Sequence, residues 1–311
     1  MTSIAPTGIE PIDLLVVGAG PAGVAAAVMA ASVRMRVTLV EAVAVGSKVA
    51  AIGALENVPG AWSTGPQLAA AFAADIARHQ GAGRLTVVQG RAVSVMGHHD
   101  RAEVALDDGS LLTAAAVVVA TGVTTLTLQD VDWIEGAEGL PAPPLERATP
   151  EAFAAREVAV LGADRPLGTW LRAHPRTDTR LRVLHPARDS YKTAEVADDS
   201  RVRFELVDRV GIAARPGGGY DVTAYDPGGA SRSARADALF VNLGSKPSAL
   251  TGLAVGPDGY CPPEGQHPRV LVAGDLKGAR MQRIAVALGD GSRAALIPYY
   301  RSLEAGFPPP P

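Results

Sequence analysis

The amino-acid sequence predicts an α/β protein with two Rossmann-like dinucleotide-binding domains, each arranged in three ββα layers. Two observations indicate this fold. A strand, a glycine turn, a helix and a second strand open the chain, and a set of hairpins follows them. The same order of elements then occurs again in the second half, as an internal duplication would produce. The length of 311 residues also fits two domains of ordinary size.

The first glycine turn follows an apolar run, Asp13–Val17, which is predicted to be a buried parallel strand. Gly18 allows a tight turn, and Gly20 lets the backbone approach a pyrophosphate. Gly23 lets the helix that starts near Pro21 pack closely on the strand. The amides at the start of such a helix point towards phosphate groups.

An acidic residue stands where this motif expects one. Arg36–Val40 is predicted to be the second strand, and Glu41 follows it. A carboxylate there can accept hydrogen bonds from both hydroxyls of an adenosine ribose, and it favours a free 2′-hydroxyl over a 2′-phosphate. The strand, the helix and the acid together favour dinucleotide binding over a plain glycine turn.

Composition argues against several classes of function. Hydrophobic residues make up 47% and charged residues 20%, which is typical of a globular protein. With a net charge of −3 and no basic run, the chain is not expected to bind nucleic acid. We find no membrane span and no signal-peptide pattern at the N-terminus, so a cytoplasmic location is expected.

Metal binding is not expected either. Cys261 is the only cysteine, which excludes an internal disulfide and a cysteine-based metal cluster. His98 and His99 lie in a predicted hairpin turn with no third ligand near them in sequence, so a solvated turn is favoured over a metal site.

The remaining elements follow from hydrophobic spacing and turn residues. Leu68, Phe72 and Ile76 recur at helical intervals and predict a helix over residues 66–80. The other predicted features are hairpin turns at Gly97–Asp100 and Asp107–Gly109, strands at Val117–Gly122, Val158–Leu161 and Val270–Ala273, helices at Leu167–His174 and Met281–Leu296, and a disordered proline tail.

Four short motifs carry a family resemblance. They are GAGPAG at the first turn, ENVPG at Glu56–Gly60, ATG at residues 120–122 and AGDLKGARMQRIAVALGDG near the C-terminus. Through them the chain resembles the low-molecular-weight thioredoxin reductase family over nearly its whole length. The resemblance implies a homodimer and an FAD-binding domain made of residues 1–123 plus 247–311. Residues 124–246 would form a degenerate NAD(P)H-binding-like domain between them.

The expected FAD site draws on all four motifs. Asp275 could hydrogen-bond a ribityl hydroxyl, and the dipole of the following helix would favour negative charge on the reduced flavin. Lys48 stands where the family usually has a glutamine; its ammonium would stabilise a reduced flavin anion, or it is simply a solvated lysine. The residues expected to bind FAD are Gly18, Gly20, Pro21, Ala22, Gly23, Glu41, Lys48, Asn57, Thr121, Gly122, Gly274, Asp275, Met281, Gln282, Arg283 and Ile284.

The family's CxxC dithiol is missing from the sequence. Counting back from the predicted strand at Val158 places the two cysteines at Leu145 and Ala148, within the proline-rich run LPAPPLERATPEAF. Neither of these side chains can carry electrons. Cys261 is interpreted as a small structural residue rather than as a substitute.

The second glycine turn is altered as well. Its three fingerprint positions are Gly162, Asp164 and Leu167. Asp164 would place a side chain and a negative charge at the pyrophosphate. Repulsion between unit charges at about 4 Å costs roughly 1 kcal/mol in water and several times more when partly buried.

The family's basic cluster for the 2′-phosphate of NADPH is also reduced. The corresponding stretch of this chain is LHPARDSYK, residues 184–192, in which only Arg188 and Lys192 remain as candidate cations. Gly168 lies one position later than the third fingerprint glycine, so a shifted loop could rescue some binding. NADPH use is therefore doubtful.

These features predict an FAD-dependent oxidoreductase without disulfide reductase activity, whose flavin is the sole redox centre. A ferredoxin- or flavodoxin-type protein or a small molecule would be its external donor or acceptor, reaching the flavin through a cleft shaped by Trp133–Glu151. Two alternatives stay open. One is a non-catalytic FAD-binding sensor or assembly protein, and the other is an NADPH-dependent flavin reductase acting on a non-disulfide acceptor.

Overall fold

The chain folds into two units, and the computed structural model describes residues 12–153 and 157–306. Unit 1 consists of the described residues up to Ala50, of Glu56–Val123, and of those from Pro247 onwards. Unit 2 consists of residues 51–55 and of the described part of residues 124–246. The expected lack of a signal peptide and the expected disordered tail concern residues outside the described ranges.

A short segment departs from the predicted domain boundaries. The sequence places residues 51–55 in the first domain, whereas the structure groups them with unit 2. Leu55 is buried, and a Cβ on Gly53 would lie 2.9 Å from the Cβ of Ala173 in unit 2. This packing has no periodic signal in the sequence, which explains the difference.

Seventeen strands and five α-helices lie in the described residues, with short 3-10 helices between them. The strands are β1 (Ile12–Val17), β2 (Val37–Glu41), β3 (Leu85–Gln89), β4 (Ala92–Gly97), β5 (Ala102–Leu106), β6 (Leu111–Val119), β7 (Val123–Thr125), β8 (Ile134–Glu135), β9 (Val158–Leu161), β10 (Leu181–His185), β11 (Val202–Leu206), β12 (Arg209–Ala214), β13 (Tyr220–Tyr225), β14 (Ser231–Ala236), β15 (Ala238–Val241), β16 (Ser245–Pro247) and β17 (Val270–Val272). The helices are α1 (Pro21–Ser32), α2 (Ser47–Ala50), α3 (Gly65–Gly81), α4 (Pro166–Ala173) and α5 (Ile284–Gly306).

The main sheet of unit 1 is organised around β1. Its strands lie in the order β3-β2-β1-β6-β5-β4, and β17 pairs with β6 as well. β1, β2, β3, β6 and β17 are parallel, while β4 and β5 are antiparallel. The last four residues of β1 are all buried, as the unbroken apolar run predicts.

Small side chains let the helices of unit 1 pack closely. α1 is built largely from alanine, glycine and valine, and it lies against α5. A Cβ on Gly291 of α5 would collide with the carbonyl oxygen of Ala22 in α1. Leu68, Phe72 and Ile76 of α3 are all buried, which confirms the predicted helix in this region.

Unit 2 repeats the three layers on a smaller scale. The parallel sheet has the order β11-β10-β9-β15, and the second sheet has the order β14-β13-β12-β8. One core, which includes Leu161, Leu184 and Val210, fills the space between the two sheets. A second core on the other face joins the parallel sheet to Trp170 of α4 and to Phe153.

The predicted α/β class and the two ββα domains are confirmed, but several element boundaries differ from the prediction, most of them by a single residue. β6 begins at Leu111 rather than at Val117, because the hairpin strand continues without a break. α4 begins at Pro166, one residue earlier than predicted. α5 begins at Ile284 rather than at Met281, because Met281 has a φ of +62°, which no helix accepts. No helix in the described ranges is both long and apolar enough to cross a membrane.

Candidate functional site

The first glycine turn joins β1 to α1 and touches the residue that follows β6. Gly18 has a φ of +95°, and a Cβ there would lie 2.6 Å from the carbonyl oxygen of Ala120. A Cβ on Gly23 would collide with the carbonyl oxygen of Gly18. Both positions therefore need glycine for the geometry of the turn itself.

The start of α1 offers open space and backbone donors. Gly20 is the N-cap, and nothing lies within 4 Å of the place where its Cβ would be. Within the described residues, the amides of Ala22 and Gly23 donate to no backbone acceptor, and the Val24 amide donates to the carbonyl of Gly20 at 2.9 Å. Such donors at the positive end of a helix dipole suit an anion.

Glu41 is held beside this turn by backbone amides. Its Oε2 accepts a hydrogen bond from the Ala19 amide at 2.6 Å, and its Oε1 accepts one from the Val43 amide at 2.8 Å. Each carboxylate oxygen still has a second lone pair for a hydroxyl donor. The carboxylate is thus fixed at the end of β2 and can accept further bonds.

The C-terminal AGD motif meets the same turn. Gly274 and Asp275 open a 3-10 helix that begins one residue after the end of β17. A Cβ on Gly274 would lie 2.8 Å from the Cβ of Ala22 in α1. Gly18, Ala22, Ala120 and Gly274 therefore converge at the carboxyl ends of β1, β6 and β17, where parallel α/β sheets bind their ligands.

Gln282 ties together the loop before α5. Its side-chain amide nitrogen lies 3.2 Å from the hydroxyl of Tyr260, 3.1 Å from the carbonyl oxygen of Gly278 and 3.4 Å from that of Asp275. Met281, just before it, is 76% exposed. Gln282 therefore donates to the protein itself, a contact that the sequence did not predict.

Arg283 and Ile284 follow Gln282 and lead into α5. Arg283 donates from its Nη1 to the carbonyl oxygen of Gln282 at 3.2 Å, and Ile284 is the first residue of α5. Met281, Gln282 and Arg283 thus precede the helix in which the prediction placed them. Their direct contact with FAD stays a prediction.

The ATG motif fixes the segment that returns from unit 2. The Thr121 hydroxyl donates to the carbonyl oxygen of Ser248 at 2.7 Å, and the Ser248 amide donates to the carbonyl oxygen of Gly122 at 2.9 Å. Lys48 on α2 and Asn57 on the loop after it are both exposed. Their roles towards FAD also stay predictions.

These features fit a dinucleotide. The open space at Gly20 and the amides of Ala22 and Gly23 suit a pyrophosphate, and the Glu41 carboxylate suits an adenosine ribose. This fit is seen in the geometry: the space in front of the start of α1 is open, and a side chain at Gly20 would extend into it.

The two positions where the resemblance places the family's dithiol lie in a packed core. Leu145 is 1% exposed and Ala148 is 8% exposed, and both belong to the second core of unit 2. The indole Nε1 of Trp170 donates to the carbonyl oxygen of Ala148 at 2.8 Å. The part of the stretch Trp133–Glu151 that contains Leu145 and Ala148 is therefore a structural element of unit 2. Trp133, at the start of the same stretch, is buried as well.

Cys261 is fully buried in the core of unit 1. Burial, with a further contribution from the charge of Asp258, raises the pKa of its thiol. Because the thiolate is the reactive form, a raised pKa and full burial both disfavour redox chemistry. The interpretation of Cys261 as a structural residue agrees with this environment.

The second glycine turn keeps one feature of the first and loses another. Gly162 has a φ of +93°, and a Cβ there would collide with the carbonyl oxygen of Asn242. At the middle position, the Oδ1 of Asp164 lies 3.1 Å from the Nζ of Lys192, and the Oδ1 of Asp189 lies 2.9 Å from the same nitrogen. Burial alone would lower the pKa of Lys192, but the two carboxylates outweigh it and the pKa is raised.

The other residues that could help an NADPH site are placed elsewhere. A Cβ on Gly168 would lie 3.2 Å from the side chains of Arg172 and Val196, whereas a Cβ on Gly23 would collide with the backbone of its own turn, so Gly168 does not make the close approach of a third fingerprint glycine. Leu167 is 1% exposed. Arg188 lies 3.8 Å from Asp132, and both side chains are largely exposed.

Within the described residues, no group of three or more His, Cys, Asp and Glu could hold a metal.

Comparison with known families agrees with the geometry of unit 1. Residues 12–163 match the family model of pyridine nucleotide-disulphide oxidoreductases. Members of this family bind FAD, and the matched range contains the first glycine turn, Glu41 and the ATG motif. The match shows that slightly less than half of the chain, including the whole first turn, is similar to this family.

One curated relative and two solved structures are similar to nearly the whole chain. The chain is 27% identical to the F component of alkyl hydroperoxide reductase from Xanthomonas campestris pv. phaseoli over 96% of its own length and 58% of that protein, so it spans little more than half of this curated relative. It resembles thioredoxin reductase of Lactococcus lactis with a TM-score of 0.78 and 19% identity, covering 94% and 99% of the two chains. Thioredoxin reductase of T. acidophilum gives a TM-score of 0.74 and 21% identity, with 94% and 98% covered. At such identities these structures show the fold alone.

Sequence reasoning missed several residues that contact the two turns or the elements next to them. Gly291 permits the approach of α5 to α1, and a glycine inside a helical pattern is the signal that could have found it. Asp189 lies three positions before Lys192, a spacing that predicts an ion pair on one helical face. The amide of Ala19 carries no side-chain signal at all.

Proposed function

We propose that this chain is an FAD-dependent oxidoreductase in which the flavin exchanges electrons directly with an external partner and no dithiol takes part. The partner is a ferredoxin- or flavodoxin-type protein or a small molecule. FAD, when bound, supplies a centre that can take up two electrons and release them again.

The proposal rests chiefly on the contrast between the flavin turn and the dithiol positions. The amides of α1, the open space at Gly20 and the fixed carboxylate of Glu41 support a bound dinucleotide in unit 1. Leu145 and Ala148, in contrast, fill a core. Because the sequence has only one cysteine, it cannot form a CxxC pair.

The residues of unit 1 would bind and orient the flavin. Ala22 and Gly23 donate to the pyrophosphate, and Glu41 accepts from the ribose hydroxyls. Gln282 fixes the loop that leads into α5, so that the start of this helix is held in place.

The test is the redox behaviour of the purified full chain. We expect about one FAD per chain after reconstitution, since of the two glycine turns in the described residues only the one at Gly18 has an open middle position. After anaerobic photoreduction, the flavin should be reoxidised by at least one of oxygen, a ferredoxin or a quinone, and not by a disulfide substrate. Cys261→Ala should leave the reoxidation rate unchanged.

Three results would contradict the proposal in different ways. If the chain stays colourless when FAD is supplied, it does not bind the flavin and the proposal fails. A reduced flavin that no acceptor reoxidises would favour the non-catalytic alternative. Rapid reduction of a disulfide substrate, lost in Cys261→Ala, would show that the thiol takes part.

A further inference from the structure

We infer that unit 2 is closed to pyridine dinucleotides by an internal ion cluster of Asp164, Asp189 and Lys192. This goes beyond the proposed function, because it concerns a second site in the other unit. It concerns nucleotide binding by unit 2 alone and holds whatever the partner of the flavin is.

Asp164 occupies the position where a dinucleotide turn needs open space. Gly162 corresponds to Gly18, since both have nearly the same positive φ and both lie against the residue that follows a neighbouring parallel strand. Two residues later, unit 1 has Gly20 with nothing near it, whereas unit 2 has the Asp164 carboxylate. A pyrophosphate at this point would meet both a side chain and a negative charge.

Lys192 does not turn this site into a phosphate site, because two carboxylates hold it. Its side chain is 15% exposed, and those of Asp164 and Asp189 are 20% and 14% exposed. The cluster covers Gly244, where a Cβ would lie 3.5 Å both from the Cγ of Asp164 and from the Nζ of Lys192. Two carboxylates and one ammonium leave one negative charge where a phosphate would need a positive one.

The backbone donors of this turn are also used internally. The Leu167 amide donates to the carbonyl oxygen of Asp164 at 3.1 Å, and the Gly168 amide donates to that of Arg165 at 3.0 Å. The Asn242 side chain donates to the same carbonyl of Asp164 at 2.7 Å. The start of α4 therefore lacks the donors that the start of α1 offers to an anion.

The inference is tested by calorimetric titration of the FAD-loaded full chain with NADPH, NADH and ADP-ribose. The wild type should show no binding at up to about 1 mM nucleotide. Asp164→Gly/Asp189→Asn removes both carboxylates, clears the middle position and frees Lys192, so it should bind NADPH at least tenfold more tightly than the wild type. Asp198→Asn/Asp221→Asn is the matched control, because it changes the net charge of unit 2 equally on exposed residues.

Each result decides the question. Binding by the double variant and not by the wild type or the control supports the inference. Binding by the wild type overturns it, and so does a folded double variant that binds no nucleotide, because the ion cluster would then not be the barrier. Circular dichroism checks folding, and if the double variant does not fold, Asp164→Gly alone is judged by the same rule, with a weaker gain expected. None of these outcomes depends on which acceptor reoxidises the flavin.

Discussion

The turn at Gly18 in unit 1 and the turn at Gly162 in unit 2 follow nearly the same backbone path, yet they present opposite surroundings to a phosphate. Their φ angles are +95° and +93°. A Cβ on Gly18 would meet the carbonyl group of Ala120, and a Cβ on Gly162 would meet that of Asn242; each of these residues directly follows the neighbouring parallel strand of the sheet. The first glycine is therefore demanded by packing in both units, with or without a ligand.

The two turns differ at the next fingerprint position and in their amides. Gly20 leaves open space, while Asp164 places a carboxylate paired with Lys192 there. The glycines of one fingerprint thus have separate tasks: the first is required by the turn itself, and the second keeps open the space in which a phosphate would lie. A duplicated domain can lose the second task and keep the first.

The largest effect is expected from placing a methyl group on the first glycine of either turn. Gly18→Ala and Gly162→Ala each force a side chain into a positive φ and against a backbone carbonyl, which costs about 1–3 kcal/mol of unfolding free energy. Only Gly18→Ala should also abolish flavin binding. Chemical denaturation and flavin content after reconstitution measure the two effects.

Equal loss of flavin in both variants would break the comparison, because unit 2 would then control the flavin site. Gly109→Ala is a useful control for backbone strain. Gly109 has a φ of +86° with nothing within 4 Å of its Cβ position, so this variant carries the strain without the clash and without flavin loss.

A smaller and more selective effect is expected when unit 1 receives the residue of unit 2. Gly20→Asp should weaken FAD binding at least about tenfold, or about 1.4 kcal/mol, because the carboxylate would repel the pyrophosphate. The apoprotein should change in stability by less than about 0.5 kcal/mol, since the space is open and the φ of −74° is ordinary.

Gly20→Ala separates charge from volume in this experiment. Titration of the apoprotein with FAD should rank the wild type first, the alanine variant second and the aspartate variant last. If the aspartate variant binds FAD as tightly as the wild type, a carboxylate at the middle position is no barrier, and the interpretation of Asp164 fails with it.

Most of the fold could be predicted because it depends on local patterns. The apolar run of β1, the glycine turn and the helical spacing in α3 each lie within one short stretch of sequence, and the repeat of these elements predicts the second unit. The start of α5 could not be predicted, because the positive φ of Met281 has no signal in a methionine.

The candidate site divides in the same way. Gly18, Gly20 and Glu41 belong to a motif with fixed spacing, so their places around the turn could be predicted from sequence. The partner of Asp164 could not, because Lys192 lies in the 3-10 stretch Ala187–Val196, which no periodic pattern marks. Tertiary ion pairs of this kind depend on where two distant segments meet.

The smallest expected effect is a pH dependence carried by Lys192. Its folded-state pKa is raised above the ordinary value of 10.5, so its ion pairs stabilise unit 2 below that pH, and this stability is lost as the pH rises through the folded pKa. Lys192→Met should therefore lower the free energy of unfolding by about 1 kcal/mol at neutral pH, partly because it leaves Asp164 and Asp189 facing each other. At about pH 11 the difference between the variant and the wild type should shrink. Thermal midpoints of both proteins at the two pH values measure this, and a difference that stays constant would mean that Lys192 stabilises unit 2 by packing rather than by charge.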